Sequence, residues 1–143
     1  MLAAGAILFT VLALFGLAWP FLHSYRLKRR RINLDKEIQL FQTQITVVTS
    51  DSIPERTTKQ VLGSITGTSH IPASNDEERK LAEREAMYSL IEQALQMGAN
   101  AVIDLNMTTE SFKFTEPRKF LVFPAATWTA TKVIYAGTAV KVT

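Results

Sequence analysis

The chain has 143 residues, 16 Lys and Arg against 13 Asp and Glu, two His and no Cys. Once an apolar N-terminus is set aside, that length holds one domain with a modest core, and the missing cysteines exclude disulfides, thiolate metal sites, cysteine nucleophiles and a lipidated cysteine, as suits a reducing compartment. Residues 1–43 carry six Lys or Arg against two acidic residues and residues 44–143 ten against eleven, so the globular part lacks the gathered basic charge of a nucleic-acid-binding face.

Met1 to Leu22 contains no charged side chain. As a helix it would be roughly 33 Å long, which matches a hydrocarbon core of about 30 Å. Its eleven Leu, Ile, Val and Phe residues favour insertion by roughly 3–7 kcal/mol, so a single transmembrane helix is expected over residues 1–22. Trp19, His23 and Tyr25 fall where that helix leaves the hydrocarbon, and Pro20 stands close enough to the end to bend rather than break it. Arg26, Lys28, Arg29, Arg30 and Arg31 follow directly and resist translocation. The rest of the chain is therefore expected on the cytoplasmic side of the inner membrane. The lipid bilayer is the first expected partner, with Trp19, Tyr25, Arg26, Lys28, Arg29, Arg30 and Arg31 at its interface and each basic residue contributing about 1 kcal/mol against anionic lipid. A cleaved signal peptide would carry its charges before the apolar run, and would not place Trp19 and Pro20 behind Gly16-Leu17-Ala18. A buried core helix would need a larger domain around it.

In the basic juxtamembrane segment, 23–43, Leu27, Leu34, Ile38 and Phe41 recur at helical spacing and predict a helix with one apolar stripe, either continuing the span or yielding to a solvated linker. The domain expected over 44–143 opens with a β-branched strand at Gln44 to Thr49, closed by the turn Ser50 to Pro54. A second strand covers Thr58 to Ser69, where Val61, Gly63, Ile65 and Gly67 share a face; glycines there suit the close approach of a helix or another backbone. No Gly-Lys-Ser/Thr follows, so this is not a phosphate loop.

A helix is predicted from Asn75 to Met97. Ser74 and Glu77 form a capping box, Asp76, Glu77 and Glu78 suit the positive end of the dipole, and Gly98 supplies a left-handed cap. Leu81, Tyr88, Ile91 and Leu95, with Ala82, Met87 and Ala94, make its apolar face. Arg79, Lys80, Glu83, Arg84, Glu85 and Glu92 are placed mostly outside that face, as a solvated surface. Ala101 to Thr108 alternates as a half-buried strand with Asp104 turned from the helix. Beyond a turn at Glu116-Pro117, residues 119–142 are rich in β-branched and aromatic residues. Phe120, Val122 and Trp128 stand on one parity and Leu121, Phe123, Val133 and Tyr135 on the other, and Gly137 invites a bulge or kink before a last short strand. Both sheet faces call for burial, and one helix covers one, so the second face is expected against another copy of the chain.

Val61 to Gly67, the run Leu95-Gln96-Met97-Gly98-Ala99-Asn100-Ala101-Val102-Ile103 and the terminal Tyr135-Ala136-Gly137-Thr138-Ala139-Val140-Lys141-Val142 together resemble the YbjQ-like family, which is labelled heavy-metal-binding. The likeness runs from Ile45 to Val142. It implies an α+β domain, a mainly antiparallel sheet packed on one main helix in β-β-α-β-β order, assembled as a homopentameric ring. The segment between the second strand and the main helix, Ser69 to Ser74, is shorter than members commonly have, and many members lack a span.

A transition-metal site wants several converging His, Cys or carboxylate ligands, and His70 is the only histidine after residue 43. A ring could bring copies of His70, Asp76 and Glu77 together by symmetry; in a single chain no metal or cofactor residues are assigned. A hydroxyl nucleophile would have only His70 as base, and no carboxylate pair stands out, so no catalytic residues are assigned and no enzyme is expected. The expected function is that of a membrane-anchored, self-associating structural or interaction domain. The alternative is a metal or small-ligand binding module with sites at subunit interfaces.

Overall fold

The computed structural model describes residues 2–115 and 127–143, and the side chains of all of these but 2–15, 17 and 114. Its elements are α1 (Leu2–Gln42), β1 (Thr46–Val47), β2 (Thr58–Thr68), α2 (Asp76–Gln96), β3 (Ala101–Thr115) and β4 (Thr127–Val142). The turn expected at Glu116-Pro117 and the face assignments of Phe120, Leu121, Val122 and Phe123 lie outside the described residues.

α1 is one helix of 41 residues that passes through Pro20, about 60 Å long at 1.5 Å per residue. The segment expected as a juxtamembrane linker is its C-terminal half. Leu27, Leu34 and Phe41 are half-buried and Ile38 is buried, because their stripe lies on α2, where the Phe41 and Tyr88 rings stand 5.6 Å apart. From one end of the seam to the other His23 meets Glu78, Asp35 meets Arg84 and Phe41 meets Tyr88, so α1 and α2 are parallel, with the long Arg30 and Arg31 side chains reaching forward to Glu85 and back to Glu77. Residues of α1 before His23 therefore project past the start of α2. Among the described residues no helix is long and apolar enough to cross a membrane. The expected span falls largely on residues 1–15 and 17, whose side chains are outside that description.

The four strands form one mixed sheet in the order β1-β3-β4-β2. The β3–β4 and β2–β4 ladders are antiparallel, as expected, whereas β1 is only two residues long and runs parallel to β3. The β-β-α-β-β order is not matched exactly, since a long helix leads the domain and shares its core. β4 is a single strand: the bulge expected near Gly137 lies instead in β3, between Ile103 and Asn106. A Cβ on Gly137 would stand 2.8 Å from Val102 Cγ1, so the glycine lets β3 press close while β3 absorbs the extra residue. Asp104 takes φ 55° there, a left-handed conformation that Asp tolerates better than most side chains. The bulged amides bond outside the β3–β4 ladder, Asp104 N–H to Ser50 O and Leu105 N–H to Val48 O.

The main core lies between α2, the sheet and the end of α1: Ile38, Ile45, Ile65, Leu90, Ile91, Ala94, Ala99, Val102 and Ala139. On the opposite sheet face Ala101, Ile103, Val140 and Val142 pack under Val48 and Ile53 of the β1–β2 loop, so part of the face expected against another copy is covered from within the chain. Farther along that face Phe112 and, on β2, Val61 are exposed, while Met107, across the ladder from Tyr135, is exposed on the α2 side. Among the described residues β2 is an edge strand, and β3 beyond Leu105 pairs only with β4.

α2 starts one residue later than the capping box predicted. Asn75 is the N-cap, its Oδ1 accepting from Glu78 N–H at 2.9 Å, while Glu78 Oε2 accepts from Ser74 N–H at 2.8 Å. Asn75 thus satisfies a first-turn amide that the helix leaves unpaired, and Glu78 ties down the residue before the cap. Asn75→Ala is expected to cost about 1 kcal/mol, read as a lowered thermal midpoint. A midpoint equal to the parent's would place the cap elsewhere.

Candidate functional site

The residues expected at a lipid interface divide by helix face. Arg26, Lys28 and Arg29 are exposed, as are Trp19 and Tyr25, and Trp19, Leu22, His23 and Arg26 line one shallow cleft. Arg30 and Arg31 turn the other way, onto α2. Arg31 Nη1 lies 3.0 Å from Glu77 Oε2, and Arg30 pairs with Glu85. Arg84 of α2 returns the arrangement by pairing with Asp35 of α1 at 2.7 Å. His23 Nε2 is 3.8 Å from Glu78 Oε1, an ion pair when the imidazole is protonated. Two of the five basic residues thus hold the helices together, and three face outward.

Glu85 is the residue that sequence reasoning misplaced. It is only 5% exposed, although the helix was expected to present it to solvent. The signal was its position four residues after Leu81 and three before Tyr88, on the apolar face. Among the described residues neither carboxylate oxygen has a hydrogen bond of good geometry, so Arg30 is its electrostatic partner. Tyr135, beside Glu83 and Arg84, has its phenol pKa raised above the ordinary value, first by burial and then by Glu83, with Arg84 opposing; burial likewise raises Tyr88, aided by Glu92 and Glu37. Both phenols belong to the seam between helices and sheet, and each stays neutral at physiological pH.

A second locus lies at the other edge of α2's start. Ser69 N–H donates to Val133 O at 2.9 Å and Ser69 Oγ accepts from Val133 N–H at 3.0 Å. Ala73 and Thr131 exchange backbone hydrogen bonds of 2.9 and 2.8 Å. These bonds fix the Ser69–Ser74 segment along β4 and open a cleft of about 340 Å³ lined by Ser69, His70, Pro72, Phe112 and Lys132. Asp76 and Glu77, named with His70 as possible symmetry-shared ligands, do not line it, and a metal cation there would meet the Lys132 ammonium. Among the described residues no three His, Cys, Asp or Glu side chains converge.

No curated protein matches the chain. Residues 73–143, just under half of the chain, which carry the segment entering α2, α2, β3 and β4, match the YbjQ family model, whose description is "putative heavy-metal-binding"; the match does not reach the expected start at Ile45 or the strand Val61 to Gly67.

Proposed function

We propose that this chain is a membrane-anchored, self-associating interaction domain without catalytic activity, a single-pass protein of the inner membrane whose domain faces the cytoplasm. The observation that carries this reading is the continuity of α1. Residues 2–22, apolar in sequence, run without interruption into the segment that α2 holds by ion pairs and by Ile38 and Phe41. Motion of the domain relative to such an anchor is restricted, and the outward Arg26, Lys28 and Arg29 lie where anionic headgroups would meet them. Self-association is supported by the edge position of β2, capped among the described residues by Gln93 Oε1 at Thr66 N–H, by the side of β3 beyond Leu105 that has no partner strand among the described residues, and by the exposed Val61, since open edges and exposed apolar residues favour pairing between copies. The five-membered ring implied by the family resemblance is the expected stoichiometry, and repeated copies beside one membrane strengthen weak contacts.

The test uses the full chain in its native membrane. Alkaline carbonate should leave it in the pellet, and protease added to inverted vesicles should digest the domain; release by carbonate or protection from protease overturns the anchor or its orientation respectively. Light scattering in detergent should give a closed oligomer, and a monomer at micromolar concentration refutes assembly. The family description favours one other reading, a metal-binding module. Among the described residues of a single chain no donor set fits a transition metal, so that reading draws on ligands shared between subunits.

A further inference from the structure

We propose that the cleft between the Ser69–Ser74 segment and the β3–β4 ribbon binds a phosphate group carried by an apolar body, with His70 and Lys132 holding the phosphate. The bonds of Ser69 and Ala73 to β4 present His70 and Pro72 beside Lys132, and Phe112 of β3 closes the far wall. Phe112 is 39% exposed, His70 is exposed and Lys132 is half-buried. The segment from Ser69 to Ser74 contains no acidic residue. Glu110 stands directly across the ladder from Lys132, yet among the described residues the two make no ion pair within 4.0 Å. The cleft therefore offers an ammonium that, among the described residues, is not drawn into an ion pair within 4.0 Å by its cross-strand neighbour Glu110, together with an imidazole donor and two apolar walls. That combination disfavours a metal cation and suits an anion with an apolar tail.

The place of the cleft names one source. It opens at the end of the domain where α2 begins, and there α1 has reached His23 and departs toward its apolar residues. If α1 is a membrane anchor, an argument that rests on the preceding reading, the cleft stands at headgroup level and the ligand is an anionic phospholipid. A soluble phosphate compound offers the same chemistry.

The experiment follows the two histidine imidazole signals by NMR in the full chain held in neutral detergent. It is titrated separately with inorganic phosphate and with dihexanoyl-phosphatidylglycerol. A saturable shift of His70 is expected, and Lys132→Gln should raise its midpoint about tenfold, as loss of one charge-assisted hydrogen bond does, while leaving any response of His23 unchanged. Saturation by phosphatidylglycerol at the lower concentration supports the site and assigns it to lipid, whereas saturation by inorganic phosphate alone overturns the apolar body and leaves a site for a soluble phosphate. No saturable shift with either, or an unchanged midpoint in Lys132→Gln, overturns it. Carbonate extraction is read separately. A chain that shifts but washes out of the membrane refutes the anchor and leaves the cleft standing, while one that stays membrane-bound without a shift refutes the cleft alone.

Discussion

Arg30→Met should destabilise the full chain by about 2–4 kcal/mol, toward the low side of what breaking a buried ion pair costs. Glu85 is almost wholly shielded and has no other compensating group among the described residues, whereas Arg30 is 56% exposed. Removing the guanidinium strands a carboxylate inside the α1–α2 seam without its partner charge, and water must be drawn in to solvate it. Arg30's own exposure lets water enter beside it, which is why the loss is placed below the cost in a dry interior. For a domain of about a hundred residues this corresponds to a fall of on the order of 10–20 °C in the thermal midpoint.

The informative partner is the double variant Arg30→Met, Glu85→Leu. Replacing both charges with apolar groups of similar volume removes the desolvation cost together with the attraction, so most of the lost stability should return. If the double variant is instead as unstable as the two single changes added together, Arg30 and Glu85 are not coupled, and α1 is not held to α2 through this pair. The same measurement bears on the anchor. A chain with an uncompensated Glu85 should loosen α1 from the domain, and protease should then cut α1 between His23 and Gln42 before it cuts the sheet.

Most of the fold could be read from residues whose physics is local. The acidic first turn and Gly98 bounded α2, the alternation from Ala101 marked β3, and the Gly63 and Gly67 pattern announced a close approach. What escaped was decided by neighbours distant in sequence. β1 was read as a longer strand, but its parallel pairing with β3 is confined to Thr46 and Val47 because the chain then turns to cover Ala101, Ile103, Val140 and Val142. The bulge was assigned to the glycine at 137, yet Asp104 took the unusual backbone because its amide had Ser50 O to meet. Arg30 and Arg31 were grouped with their neighbours as lipid ligands, since a run of basic residues does not reveal which of them a second helix will claim. The cleft at His70 was equally hidden: His70 and Phe112 are 42 positions apart, and only the bonds of Ser69 and Ala73 to β4 bring them to one opening.

Gly67→Ala should be at least as damaging as loss of the buried ion pair. A Cβ at this position would lie 2.0 Å from Ala86 O, 2.5 Å from Leu90 N and 2.6 Å from Leu90 Cβ. The first two are α2 backbone and the third is fixed to it, so no rotamer change makes room and the helix must lift from β2. Lifting separates Ile65 from Leu90 and Ile91, which are among the most buried side chains of the main core. Overpacking usually costs 1–3 kcal/mol, and a clash with helix backbone belongs at or above the top of that range, about 3 kcal/mol or more. Gly63→Ala is the control on the same strand. Its added methyl would meet Met97 Cε at 3.2 Å, the mobile end of a flexible side chain, so its cost comes mainly from holding Ala at φ 149°, about 1–3 kcal/mol of backbone strain. Thermal unfolding should therefore rank Gly67→Ala below Gly63→Ala, with lost near-ultraviolet circular dichroism from Tyr88 and Tyr135 only in the former. A Gly67→Ala chain within 1 kcal/mol of the parent would mean that α2 does not seat on β2 at this distance, and the α1–α2 seam built on that seating would have to be redrawn.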